Sequence, residues 1–251
     1  MSSASEWPVL IRKTEAMREL QRRASRGQPR WVAGKVEPRK AEGMVLKFID
    51  RYGVAESSQQ RWRRKKRGEA TASLVLWWPK SGPVYWWLMV SPGEGVIEQL
   101  ESVQDARKKK QRLQMPGEDY ELVQLPQKGG DPTWTWRMTA GNREGWAERM
   151  RTVVRRGDTH GLAQAIYSLV RSPGFRGVRS DAMRIYQDAR RDWERVHRRS
   201  TPWPYAERLG IGWLGRYRAP QTIALGAVVR RARKRSSTQP SLAEGGQDEE
   251  R

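Results

Sequence analysis

The sequence has no cysteine, two histidines and two phenylalanines in 251 residues. Without cysteine there is no disulfide scaffold, no thiolate zinc or iron–sulfur site and no thiol nucleophile. The absence fits a reducing, cytoplasmic compartment. With His160 and His197 as the sole imidazoles, a histidine-clustered metal site within one chain is not expected either. No metal or cofactor is therefore anticipated. No run of about 18 apolar residues exists, so no membrane span is expected. The first eight residues lack the apolar core of a secretory signal. Phosphate-binding fingerprints are missing as well: Leu209-Gly-Ile-Gly-Trp-Leu-Gly215 has neither the Lys-Ser/Thr of a P-loop nor a preceding strand. Leu, Ile, Val and Phe supply 43 residues, few enough with this charge to point towards disorder.

What is abundant answers that shortage. The chain holds 13 Trp, 7 Tyr and 8 Met, so it reads as folded, with Trp in the role usually taken by Phe and Leu. It carries 49 Lys and Arg against 28 Asp and Glu, a net charge of +21. The natural partner of such a field is a polyanion: nucleic acid first, an anionic membrane surface second. Arg makes up 37 of the 49 basic residues. Its planar guanidinium grips phosphate in bidentate fashion and stacks on bases, which favours nucleic acid, RNA or DNA. A GC-rich coding sequence, which enriches Arg and Trp together, is the plain alternative.

The basic residues gather in three runs: 61–67, 107–112 and 230–235. Several phosphate contacts made together give strong, salt-dependent and sequence-independent binding. The nucleic-acid-binding candidates are Arg61, Trp62, Arg63, Arg64, Lys65, Lys66 and Arg67 in the first run. Lys108, Lys109 and Lys110 come from the second, and Arg230, Arg231 and Arg233 from the third. Trp62, among arginines, is placed to stack on an unpaired base. Any single run also reads as a solvated loop or a helix C-terminus, where cations are favoured. Pro173-Gly-Phe-Arg-Gly-Val-Arg179 enters a helix, so its backbone N–H groups with Arg176 and Arg179 form a further phosphate site or else an ordinary interhelical turn.

Along the chain, residues 8–26 predict a short helix and 29–38 a short extended piece. Ala41, Met44, Val45, Phe48, Ile49 and Tyr52 predict a helix stopped by Gly53. The run 61–67 connects it to strand 71–78, which pairs with Val84–Val90 through Pro-Lys-Ser-Gly-Pro turn chemistry. A helix is expected over 96–113. Strands 120–125 and 133–139 follow, then a helix carrying Trp146, Met150, Val153 and Val154. At an offset of 49 residues the two hairpins share Pro, Trp and Met positions, a candidate internal repeat. On 133–139, Trp134, Trp136 and Met138 face one way, a pattern read as mainly core. Beyond 157 the chain reads helical. The fold expected is α+β: an antiparallel, Trp-rich sheet (α-ββα-ββα) followed by a helical C-terminal half. Its divisions are 1–60 (N-terminal helices), 61–156 (two ββα units), 157–235 (a basic helical region) and 236–251 (a disordered acidic tail). The stretch 237–251 has net charge −3, leaving the body near +24.

Catalytic constellations are thin. His160, beside Asp158, is the one weak catalytic candidate, since acid–base work needs a partner that the local sequence does not supply. Asp188 and Asp192 lie at helical spacing from arginines and read as ion-pair partners.

The α-ββα-ββα order resembles LAGLIDADG homing endonucleases and their DNA-binding relatives. Val45-Leu-Lys-Phe-Ile-Asp-Arg-Tyr-Gly53 matches the motif at Ile49, Asp50 and Gly53. Tyr52 stands where the metal-binding acid belongs and Lys47 where the close-packing glycine belongs. The resemblance thus implies a saddle-like sheet on nucleic acid without cleavage. Thr133-Trp-Thr-Trp-Arg-Met-Thr139 and Pro173-Gly-Phe-Arg-Gly-Val-Arg179 resemble segments of basic proteins of plasmids and integrative elements. These include compact, metal-independent CRISPR endoribonucleases. For those, Leu209–Gly215 would be the glycine-rich loop, although the helix-first order departs from their pattern. The reading is a nucleic-acid-binding protein of a bacterial plasmid or mobile element, acting mainly through backbone phosphates. The alternatives are a metal-independent endoribonuclease on hairpin RNA, or a protein-binding adaptor within a complex.

Overall fold

The computed structural model describes residues 4–197, 202–205, 209–214 and 220–238. The strands are β1 (Pro8–Leu10), β2 (Arg30–Val36), β3 (Ala72–Trp77), β4 (Val84–Val90), β5 (Gln104–Asp105), β6 (Tyr120–Gln127), β7 (Gly130–Met138) and β8 (Thr222–Ala224). The helices are α1 (Lys13–Ser25), α2 (Pro38–Tyr52), α3 (Ser58–Lys66), α4 (Val96–Leu100), α5 (Ala140–Arg155), α6 (Thr159–Val170), α7 (Arg176–His197) and α8 (Leu225–Thr238). The fold is α+β with a helical C-terminal half. Among the described residues no helix is long and apolar enough to cross a membrane. Two compact units form, each discontinuous in sequence. One comprises Met1–Ala16, Val32–Glu101 and Pro220–Arg251; the other comprises Met17–Trp31 and Ser102–Ala219.

The first unit is built on the β3–β4 hairpin. Its register runs from Ala72 opposite Val90 to Trp77 opposite Tyr85. Every residue of β3 is buried, as expected of an interior strand with no alternation of polar positions. β2 lies beside β4, and β1 lies on the other side of β3. The β1–β3 pairing is parallel, at Leu10 and Trp77, whereas an antiparallel sheet was expected. The edge is closed by β8, antiparallel to β1. Residues 222–224 are therefore a strand within the stretch beyond 157 expected to be helical. Residues 8–10 likewise form a strand ahead of α1.

α2 follows its periodicity. Ala41, Val45, Phe48 and Tyr52 are buried, Pro38 sits in the first turn, and Gly53 closes the helix in the left-handed region (φ 61°). Phe48 meets Trp86 of β4 edge-on at 5.1 Å. Trp86 also dictates Gly34 on the neighbouring strand, where a Cβ would stand 2.6 Å from the ring. Trp takes the core role inferred for it: Trp77, Trp78 and Trp87 are buried here, and Trp136 and Trp193 in the second unit.

The second unit holds its own two-stranded sheet, β6–β7. The two related hairpins thus belong to separate sheets. Both faces of the C-terminal part of β7 are covered. Trp136, on one face, donates its indole N–H to the carbonyl of Met17 on α1 (2.7 Å). On the other face the Thr135 hydroxyl accepts from the backbone N–H of Gly177 on α7 (3.3 Å). Gly177 has no room for a side chain, since a Cβ would lie 2.5 Å from the Trp136 carbonyl oxygen. Asp181, one turn on, is buried and accepts from Arg137 and from the backbone N–H of Met138, both at 3.0 Å. The helix expected over 96–113 ends at Leu100. Beyond it, Gln104 and Asp105 pair with Trp31 and Arg30, and Lys109–Gln111 is a single 3-10 turn. α8 runs to Thr238 and so takes in the first residues of the tail expected at 236–251; residues 239–251 lie outside the described part.

Candidate nucleic-acid interface

The first basic run forms most of α3, and not a connector. Ser57 caps the helix by accepting from Gln60, whose side chain reaches back to the Ser57 N–H. The helix then divides its cations into two sets. Arg64 is held between Glu56 (3.0 Å) and Glu69 (2.9 Å), and Arg67 pairs with Glu69 (2.6 Å). Hydrogen bonds from Arg67 and Arg64 hold the Glu69 carboxyl below its usual range. For Arg61, Arg63, Lys65 and Lys66 no carboxylate partner is found among the described residues. Trp62 is 56% exposed, with the Lys66 ammonium 4.2 Å from its ring centre.

The third run lies on α8. Leu225, Val228 and Val229 are buried, and Arg230, Arg231 and Arg233 are exposed. None of these three is ion-paired among the described residues. Arg235 donates to the carbonyl of Lys80 in the β3–β4 turn. A shallow depression of about 430 Å³ there is lined by Trp78, Lys80, Arg231, Lys234 and Arg235.

In the second unit, Lys108, Lys109 and Lys110 are exposed on their 3-10 turn. Arg176 donates to the carbonyls of Pro126 (2.9 Å) and Leu125 (2.8 Å), so it ties the start of α7 to β6. Those carbonyls occupy two of its N–H groups without neutralising its charge. The Arg179 guanidinium lies 3.9 Å from the ring centre of Trp213. Its Nη1 is buried with no hydrogen-bond acceptor.

Arg176 also lines a groove of about 920 Å³. One wall is the α1 face bearing Arg18, Gln21, Arg22 and Ser25, continued by Arg26. Another is β7, with Thr133 and Trp134, and a third is the segment holding Trp213 and Leu214. Among the described residues no carboxylate lines it. Gly174 is what lets that last segment approach, since a Cβ there would meet the Gly212 carbonyl oxygen. Sequence reasoning missed this groove. Arg18, Arg22 and Arg26 do recur every four residues, the spacing of one helix face. The position of Trp213 carried no periodic signal at all.

Toward the C-terminal end of α7 several arginines are already paired. Arg190 pairs with Glu194 (2.8 Å) and Arg195 with Asp192 (3.0 Å), and Arg191 with Asp188, as the helical spacing implied. His160 is exposed at the start of α6 and its ring meets the side chain of Gln164 (2.9 Å). His197 lies at the end of α7, where its Nε2 donates to the carbonyl of Val154 (2.8 Å) and its ring packs on Trp193. Among the described residues no three acidic or imidazole side chains converge on a metal position. Comparison of the chain with protein-family models, with curated proteins and with solved structures returns no significant match.

Proposed function

We propose that the protein binds nucleic acid, mainly through backbone phosphates. One observation carries the reading: this chain pairs its arginines where acids are at hand, yet leaves particular cations exposed and unpaired. The C-terminal part of α7 matches Arg190, Arg191 and Arg195 to Glu194, Asp188 and Asp192. Arg63 and Lys65 on α3, Lys109 and Lys110, and Arg230, Arg231 and Arg233 on α8 are exposed and have no carboxylate partner among the described residues. A cation left uncompensated beside others raises the local potential that a polyphosphate lowers. The absence of cysteine fits action in the cytoplasm. The resemblance to basic plasmid and mobile-element proteins suggests the setting.

Fluorescence anisotropy with labelled duplex DNA, single strands and hairpin RNA tests the proposal. Binding should be tight near 50 mM salt and fall steeply with added salt. The Arg231→Ala/Arg233→Ala variant should weaken binding to all sequences alike and flatten the log–log salt dependence by about one per lost phosphate contact. Undetectable binding to all three at low salt overturns the proposal.

A further inference from the structure

We infer that the groove of the second unit is a site for single-stranded nucleic acid, in which an unpaired base lies on the open face of Trp213. The inference deepens the phosphate-binding reading and rests on it. Three observations carry it. Trp213 is 67% exposed, the most exposed large apolar side chain among the described residues. Its ring is nonetheless fixed in place, because the Arg179 guanidinium lies 3.9 Å from its centre, and a ring backed by a cation on one side has one π-face to offer. The rest of the groove is the complement of a polynucleotide: a second half-exposed indole at Trp134, the unneutralised charge of Arg176, and the exposed Arg26 at the end of the α1 face.

The strandedness follows from the chemistry. In a duplex each base face is already covered by its neighbours, so an exposed indole gains nothing from it. A splayed single strand offers both base faces and phosphates. Stacking on an aromatic ring tolerates any base, whereas the arginines follow the backbone. An acidic peptide would satisfy the arginines but leave both indoles without a partner.

The test uses the full chain and labelled 15-nucleotide strands, oligo-dT and oligo-U, beside a duplex of equal length. Both single strands should bind more tightly than the duplex and quench tryptophan emission. Trp213→Ala should weaken single-strand binding roughly five- to hundredfold, the range for loss of one stacked base. Trp213→Phe should restore most of it. Duplex binding and the salt dependence should stay as in the parent protein, because no phosphate contact is removed. Trp134→Ala should give a smaller loss in the same direction, and circular dichroism verifies that each variant folds. If the parent binds nucleic acid and Trp213→Ala binds single strands equally well, the groove inference fails while the phosphate reading stands. If polyglutamate displaces oligo-dT with equal strength and the same dependence on Trp213, the groove is a peptide site and the inference fails. If no nucleic acid binds, both readings fall.

Discussion

Each arginine of this chain is defined by what stands opposite it. Arg64 and Arg67 share Glu69, while their neighbours Arg63 and Lys65 face solvent. The sequence presented 61–67 as one basic run, and nothing in its composition separated the structural cations from the available ones. Separating them needed Glu56 and Glu69, which the helix brings back to the run. The acids have residue-scale consequences too. Burial alone would raise the Glu19 carboxyl, but hydrogen bonds from Arg22 and the charge of Arg23 outweigh it and hold it below its usual range. Arg107 does the same for Asp105. A carboxyl lowered in the fold contributes stability that is complete above its unfolded pKa and is lost as pH falls through the folded value. Urea midpoints should therefore be level from pH 7 down to about 5 and drop below about pH 4. Glu19→Gln should remove part of that drop. At Asp181, which accepts from Arg137 and from the Met138 N–H, replacement by Ala strands both donors and should cost roughly 2–4 kcal/mol in urea unfolding. Gly34→Ala forces a methyl against the Trp86 ring, so a loss of about 1–3 kcal/mol is expected from the same measurement.

At the scale of elements, the legible parts were those with a strong local signal. α2 showed its 3.6-residue apolar period and its Gly53 stop, and β4 was bounded by Pro83 and Pro92. The failures share a cause. The stretch 96–113 has a helix-friendly composition, yet Gln104 and Asp105 satisfy their backbone against Trp31 and Arg30, a pairing made some 75 residues away in sequence. β1, β5 and β8 are three residues long or shorter, too short for alternation to register, and they exist because a neighbouring strand supplies their hydrogen bonds. On β7 the alternation was visible, but its polar side is only partly solvent-facing: Thr133 is exposed, whereas Thr135 and Arg137 meet α7 through Gly177 and Asp181. α3 is the converse case, since it depends on local signals. With no buried residue of its own, it relies on the Ser57–Gln60 capping box. Ser57→Ala should cost about 1 kcal/mol of local stability, seen as faster amide exchange across residues 58–66 with little change in the global unfolding midpoint.

For the whole molecule, chain order and spatial order diverge. The first unit takes its sheet edge and α8 from residues beyond 220, after the chain has built nearly all of the second unit. No scan along the sequence shows that residues 222–224 will lie beside 8–10. The divergence has a physical cost: contacts across more than 200 residues are slow to close. Deleting residues 220–251 should expose β1 and the α2 face that α8 covers, and lower the thermal midpoint of the first unit by well over 10 °C in calorimetry, with the transition of the second unit little changed.

α8 thus has two occupations. Leu225, Val228 and Val229 hold it against the first unit, and Arg230, Arg231 and Arg233 are exposed to solvent. Whatever grips those arginines also fastens the last strap of the unit. A bound polyanion should then act as a thermodynamic latch: saturating oligonucleotide or heparin raises the melting temperature of the first unit in proportion to the logarithm of its concentration. Proteolytic clipping before residue 220 would release the fold and the anion together.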